Sequence, residues 1–233
     1  MKKSKLEEKK EQGQHKNEGF VVRIFEFFNQ YNQIIYGIAI GLLVVVGALL
    51  ALNKYYLVPK SEKASALMSA PIDFMMKADS LSLVIALEGD DENEGFLTIA
   101  SSFKLTSTAN TANYFAGLCY LKLGDKEEAL HYLLKFKHKE DVYWYGAQGM
   151  ISDLYDDLGD LKKAIKYSGK AAESNDPYLA PLNLFKLGQL HEREEDWKKA
   201  VSAYQTIKDK FYTEYQKMNI DKFLERALIN QNK

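Results

Sequence analysis

The sequence predicts an all-α protein in which one transmembrane helix precedes a right-handed superhelix of helix pairs, an α-solenoid. Three observations predict it. Ile34 to Leu52 is an uncharged apolar run, the second half of the chain repeats itself at a period near 35, and only 4 prolines interrupt 233 residues. An apolar fraction of 46% is ample for a core, and stretches rich in Ala, Leu, Lys and Glu suit helices rather than turn-punctuated strands.

The apolar run, IIYGIAIGLLVVVGALLAL at 34–52, holds 19 residues without a charge. A helix needs about 20 to cross a hydrocarbon layer of about 30 Å. The 33 residues that precede it exceed the short basic start of a cleaved signal peptide, so an uncleaved signal anchor is expected. Tyr36, Tyr55 and Tyr56 suit an aromatic belt, and Lys54 can snorkel toward headgroups. Lys2, Lys3, Lys5, Lys9, Lys10, Lys16 and Arg23 all lie before the span, which favours a cytoplasmic N-terminus. Residues 1–19 read as a charged cytoplasmic tail, 20–33 as an interfacial amphipathic segment, and 34–52 as the span.

Charge is balanced, with 31 basic against 32 acidic residues, so nothing in the overall field favours nucleic acid. The single cysteine, Cys119, cannot form an intramolecular disulfide and falls in a helical pattern, where a buried inert thiol is expected.

The repeat carries the rest of the prediction. Gly117, Tyr120, Gly124 and Ala129 recur as Ser152, Tyr155, Gly159 and Ala164, and again as Gly188, His191, Glu195 and Ala200. A small residue on the first helix of a pair and alanine on the second permit close packing. Leu-Gly-Asp at 123–125 and 158–160 closes one helix with glycine and opens the next with an aspartate cap. In the third unit Glu195 replaces the glycine, and a less sharp turn is expected there. This spacing matches the tetratricopeptide repeat, whose period is about 34. Helix pairs are expected at 110–123 with 126–137, 143–158 with 161–174, and 178–194 with 197–210, followed by one capping helix over Glu214–Leu228. Residues 53–105 are expected to form a linker and a degenerate first pair: a helix over Ser61–Leu87 broken before Pro71, the acidic loop Glu88–Glu94, and a short helix over Gly95–Phe103. Residues 106–233 then hold the three repeats and their cap.

The anchor, together with ALEGDDENEGFLTIA at 86–100, ANYFAGLCYLKLGDKEEALHYLLKF at 112–136 and IDKFLERA at 220–227, resembles the single-span periplasmic tetratricopeptide-repeat proteins of Bacteroidetes-type bacteria. These are similar in architecture to the YfgM-like ancillary subunit of the Sec translocon. The resemblance implies a bacterial inner-membrane protein whose repeats lie in the periplasm, with translocon subunits, periplasmic chaperones or secreted clients as partners. A structural subunit of another envelope complex, for secretion or outer-membrane biogenesis, is the alternative.

In such superhelices the first helix of each pair lines the binding groove. By register the lining residues here are Tyr114, Leu118, Leu121 and Lys122, then Gly149, Asp153, Asp156 and Asp157, then Leu182, Phe185, Gln189, Glu192 and Arg193. This implies an acidic middle, with Tyr114 and Phe185 as apolar anchors, suited to basic or mixed extended segments. Of Tyr143, Trp144 and Tyr145, at least one is expected to be buried. Catalysis has no support. His15, His131, His138 and His191 lack zinc-site spacing, the Asp90–Glu94 stretch starts like a calcium loop but meets Ser101 where the bidentate glutamate should stand, and no phosphate-binding or nucleophile motif occurs. No enzyme activity, cofactor, metal, nucleic acid or small-molecule substrate is therefore expected.

Overall fold

A computed structural model describes residues 31–139 and 143–232. The expected tail and most of the amphipathic segment lie outside them. Contacts divide the chain into an N-terminal segment that ends at Leu57 and a body that begins at Val58.

In the N-terminal segment, α1 (Asn32–Leu52) begins two residues before the predicted span and ends where predicted. Its 21 residues rise about 32 Å at about 1.5 Å each, enough to cross a membrane, and the large apolar side chains described on it, from Ile34 to Leu52, are exposed. A π-helical turn, Asn53–Leu57, follows.

The body from Val58 onward holds the repeats. Its first helices depart from the expected single break. Three helices, α2 (Val58–Leu67), α3 (Ser69–Lys77) and α4 (Ser80–Glu88), stand where one broken helix was expected. Pro71 sits in the first turn of α3, where its missing N–H costs no helical bond. The second break is at Ala78, whose φ of 61° is left-handed, and Asp79 then caps α4 by accepting the Ser82 N–H at 2.9 Å. The acidic loop closes on itself, because Asp90 Oδ1 accepts the N–H groups of Glu92 and Asn93 at 2.9 and 2.7 Å. Gly95 beyond it has no room for a side chain: a Cβ would lie 2.3 Å from the Leu87 carbonyl oxygen. Then α5 (Phe96–Ser102) packs Phe96 and Ile99 against Ala112, Ala116 and Cys119 of α6 (Ser107–Leu123).

The three pairs form as predicted, within a few residues at each end. They are α6 with α7 (Lys126–Lys135), α8 (Trp144–Asp157) with α9 (Leu161–Ala171), and α10 (Leu179–Arg193) with α11 (Trp197–Lys210). Each pair turns the same way. Gly124, Gly159 and Glu195 are all left-handed, at φ 84°, 79° and 60°. In each turn the following aspartate donates its N–H back to Tyr120, Tyr155 or His191, at 3.0, 2.8 and 2.9 Å. Asp125, Asp160 and Asp196 then accept the first-turn N–H of Glu128, Lys163 and Lys199 at 3.1, 3.1 and 3.2 Å. The third turn is therefore as sharp as the others, contrary to expectation. Its hydrogen bonds hold Glu195 in a conformation that costs an L-residue about 1–2 kcal/mol. We expect Glu195→Gly to raise stability by about 0.5–1 kcal/mol in urea unfolding, relief of strain outweighing the added chain entropy of glycine.

The end of the chain also departs from expectation. Instead of one capping helix there are two, α12 (Tyr212–Lys217) and α13 (Ile220–Gln231), separated by Asn219 at φ 50°. The Tyr215 hydroxyl donates to the Asp221 carboxylate and fastens this elbow, and α13 lays Ile220, Leu224 and Ala227 against Tyr204 and Ile207 of α11.

Candidate functional site

The residues assigned to the groove by register fall into two groups. Tyr114 is only 6% exposed, so it is core rather than an anchor. It stacks on Tyr143 at 4.8 Å and packs on Phe136 at 5.3 Å, sealing the joint between the first and second units. Phe185 is half-buried and is likewise occupied, with Phe223 of α13 edge-on at 4.7 Å and Tyr204 at 6.0 Å. Both corrections have one cause: each ring is covered by an aromatic from the next unit along the solenoid. None of Tyr143, Trp144 and Tyr145 is fully buried, against expectation: Tyr143 is exposed at the start of α8, and Trp144 and Tyr145 are half-buried.

The charged group is the second. Asp153, Asp156 and Asp157 do not make an unneutralised acidic strip. Asp157 pairs with Lys126 at 2.8 Å, Asp156 accepts from the Arg193 guanidinium at 2.5 Å, and Asp153 is ion-paired with Lys186. Glu192 takes two hydrogen bonds from Arg226 of α13, at 2.5 and 3.3 Å. The structure thus brings Asp156 and Arg193 together from two groove positions, and supplies Lys126, Lys186 and Arg226, which the register rule omits. A signal for them exists in the sequence. Asp156 and Arg193 are 37 residues apart and Glu192 and Arg226 are 34 apart, so opposite charges stand about one repeat period from each other. Every rung joins neighbouring units: first to second, second to third, third to cap. Lys122 and Gln189 stay exposed, and Leu118 is half-buried against the core of the first two units.

Electrostatics agree with a structural use of these groups. Burial pulls the Lys186 ammonium down to about 8, and Asp153 supplies its counter-charge. The Tyr204 hydroxyl, beside Glu192 and Arg226, is pushed above its ordinary value by burial and then by the Glu192 charge. Burial pushes the Cys119 thiol up to about 12, so the thiol stays protonated and unreactive at neutral pH. Among the described residues no group of three or more His, Cys, Asp or Glu is placed to hold a metal ion.

His191 occupies the position of Tyr120 and Tyr155 in the third unit and is 6% exposed, with Nδ1 buried and unpartnered among the described residues. Burial holds its pKa below the ordinary 6.5, against the opposing charge of Asp196. A lowered folded value means that unfolding takes up a proton. The stability His191 contributes is complete above 6.5 and is lost as pH falls through the folded pKa. We expect the wild-type protein to lose more stability than His191→Phe between neutral pH and pH of about 5, measured as urea midpoints across the range.

A solenoid of helix pairs with small residues at the crossings and aspartate-capped turns is a helical-repeat scaffold. Its repeats are tetratricopeptide repeats: one tetratricopeptide-repeat profile matches residues 111–136 and 145–177, and a second matches 183–211. Such repeats build protein-interaction surfaces. A search of curated proteins returns no match. Similar solved structures include the crystal structure of MamA protein, at 17% identity and a TM-score of 0.48 over 73% of this chain and 93% of that one. Another is a Podosopora anserina putative kinesin light chain with nearly identical TPR-like repeats, at 13% identity and a TM-score of 0.49 over 72% and 95%.

Proposed function

We infer that this chain is a membrane-anchored adaptor of the bacterial inner membrane that binds proteins and converts no substrate. In this reading α1 spans the membrane with the N-terminus in the cytoplasm, and the repeats stand in the periplasm, where they meet translocon subunits, chaperones or emerging clients. The observation that carries it is a 21-residue apolar helix in the same chain as three tetratricopeptide repeats. An anchor keeps an interaction scaffold at one surface and raises its effective concentration toward a membrane-bound partner.

Two measurements test it. Because Cys119 is buried, a cysteine placed at exposed Lys162 gives a clean topology probe. We expect Lys162→Cys to react with a membrane-impermeant maleimide from the periplasmic side of intact cells; labelling only after lysis would reverse the orientation. Extraction in mild detergent should then bring down translocon or chaperone components. Recovery of a different envelope complex, in fixed stoichiometry, would replace the adaptor with a structural subunit of that assembly.

A further inference from the structure

Between the turn after α5, the start of α6 and the end of α7 lies a cleft of about 420 Å³ lined by Lys104, Leu105, Asn110, Lys135, Lys137 and His138 among others, with no carboxylate in its lining among the described residues. We propose that this cleft is a docking site for an acidic peptide segment of a partner protein, one that carries an apolar side chain beside its carboxylates. The proposal rests on the scaffold reading above and names the chemistry of one of its partners.

Three observations carry it. Lys104, Lys137 and His138 are exposed, and no ion pair holds any of them among the described residues, whereas the carboxylates of the groove each have a cation. Lys135 is steadied by the Tyr132 ring, 4.3 Å from its Nζ, and so is held at the rim. Lysines that converge without counter-charges among the described residues make a local positive field and favour an anionic partner. Asn110 uses only half of its amide. Its Oδ1 accepts the Lys137 N–H at 3.0 Å, which fixes the Lys137 backbone against the start of α6, while its Nδ2 is buried with no acceptor among the described residues.

Leu105 is the third. It is held at φ 72°, left-handed, yet its side chain is 87% exposed. The turn is pinned by Thr106, whose Oγ1 donates to the Phe103 carbonyl at 2.8 Å and accepts the Ala109 N–H at 3.1 Å. Glycine or asparagine would serve that turn better, so the leucine side chain does nothing for the fold that explains its strain. An apolar contact beside lysines fits a peptide and not a bare anion.

The test uses the full chain in detergent and a fluorescein-labelled peptide of Glu, Ser and one Leu, with a Gln-for-Glu peptide as control, read by anisotropy. We expect binding of the acidic peptide alone, weakened by salt, and weakened about tenfold or more by Lys104→Glu with Lys137→Glu. Asp153→Asn in the groove should leave it unchanged. Leu105→Gly separates docking from folding: it should raise the thermal midpoint through relief of strain while lowering affinity. Equal binding by the lysine variants, unchanged affinity in Leu105→Gly, or complete displacement by inorganic phosphate or by phosphatidylglycerol vesicles would overturn the proposal. Peptide binding that ignores the lysine variants would remove this cleft and leave the scaffold reading standing; a wild-type protein that binds the peptide through the lysines but co-purifies with no translocon or chaperone component would do the reverse to the named partners.

Discussion

Gly188→Val is expected to destabilise the repeat unit by about 3 kcal/mol, a large share of the roughly 5–15 kcal/mol that holds a domain folded. Gly188 lies where α10 crosses α11, and a Cβ built there would stand 2.3 Å from Tyr204 Cε1 and 2.6 Å from Cζ. Tyr204 cannot swing aside. It is fully buried, with Phe185 and Phe223 each 6.0 Å from its ring. The new side chain must therefore push the two helices apart. Gly169 is the control, since a Cβ at that helical position meets nothing within 4 Å. Gly169→Ala should gain about 0.5–1 kcal/mol from helix propensity alone. Urea midpoints of the two variants should move in opposite directions. If Gly188→Val unfolds at the wild-type midpoint, the close crossing is not what sets the pair geometry.

The second large effect is expected at Arg226. The Glu192 side chain is only 12% exposed, and Arg226 supplies both of its hydrogen bonds while lying over the Phe223 ring at 5.1 Å. Arg226→Ala strands a carboxylate beside the buried Tyr204 hydroxyl. Removing one member of a buried pair costs about 3–5 kcal/mol. Arg226 itself is 46% exposed, so water can reach the site and a loss of about 2 kcal/mol is expected. The loss should be local, releasing α13 and opening the elbow at Asn219 to limited proteolysis. The double variant Glu192→Gln with Arg226→Met should recover most of it, because neither partner is then left charged. A double variant as weak as Arg226→Ala would mean that packing of the arginine stem, not its charge, holds the cap.

The repeats were legible because their determinants are local. Small residues at Gly117 and Gly188, aspartate caps and left-handed glycines act within one pair, and the third turn keeps its shape even where Glu195 replaces glycine. What the register rule misassigned depends on the neighbouring unit. Tyr114 and Phe185 carry no mark in their own helices that Tyr143 and Phe223 will cover them. The acidic groove failed for the same reason: Asp153, Asp156 and Asp157 cluster along one helix, while their cations come from the helices on either side. Comparing charges one period apart recovers those partners. The elbow between α12 and α13 had only Asn219 to announce it, a residue that tolerates the left-handed region but also occurs in ordinary helices.

The rungs between units give the array two kinds of joint. Aromatic seals such as Tyr114 on Tyr143 are indifferent to dissolved ions, whereas pairs such as Lys126 with Asp157 are half-exposed and lie within reach of screening. Salt therefore loosens one class of joint and spares the other. The repeat array should therefore be more compliant where ions are plentiful and stiffer where they are scarce, its spacing trimmed by the medium and not by the chain alone.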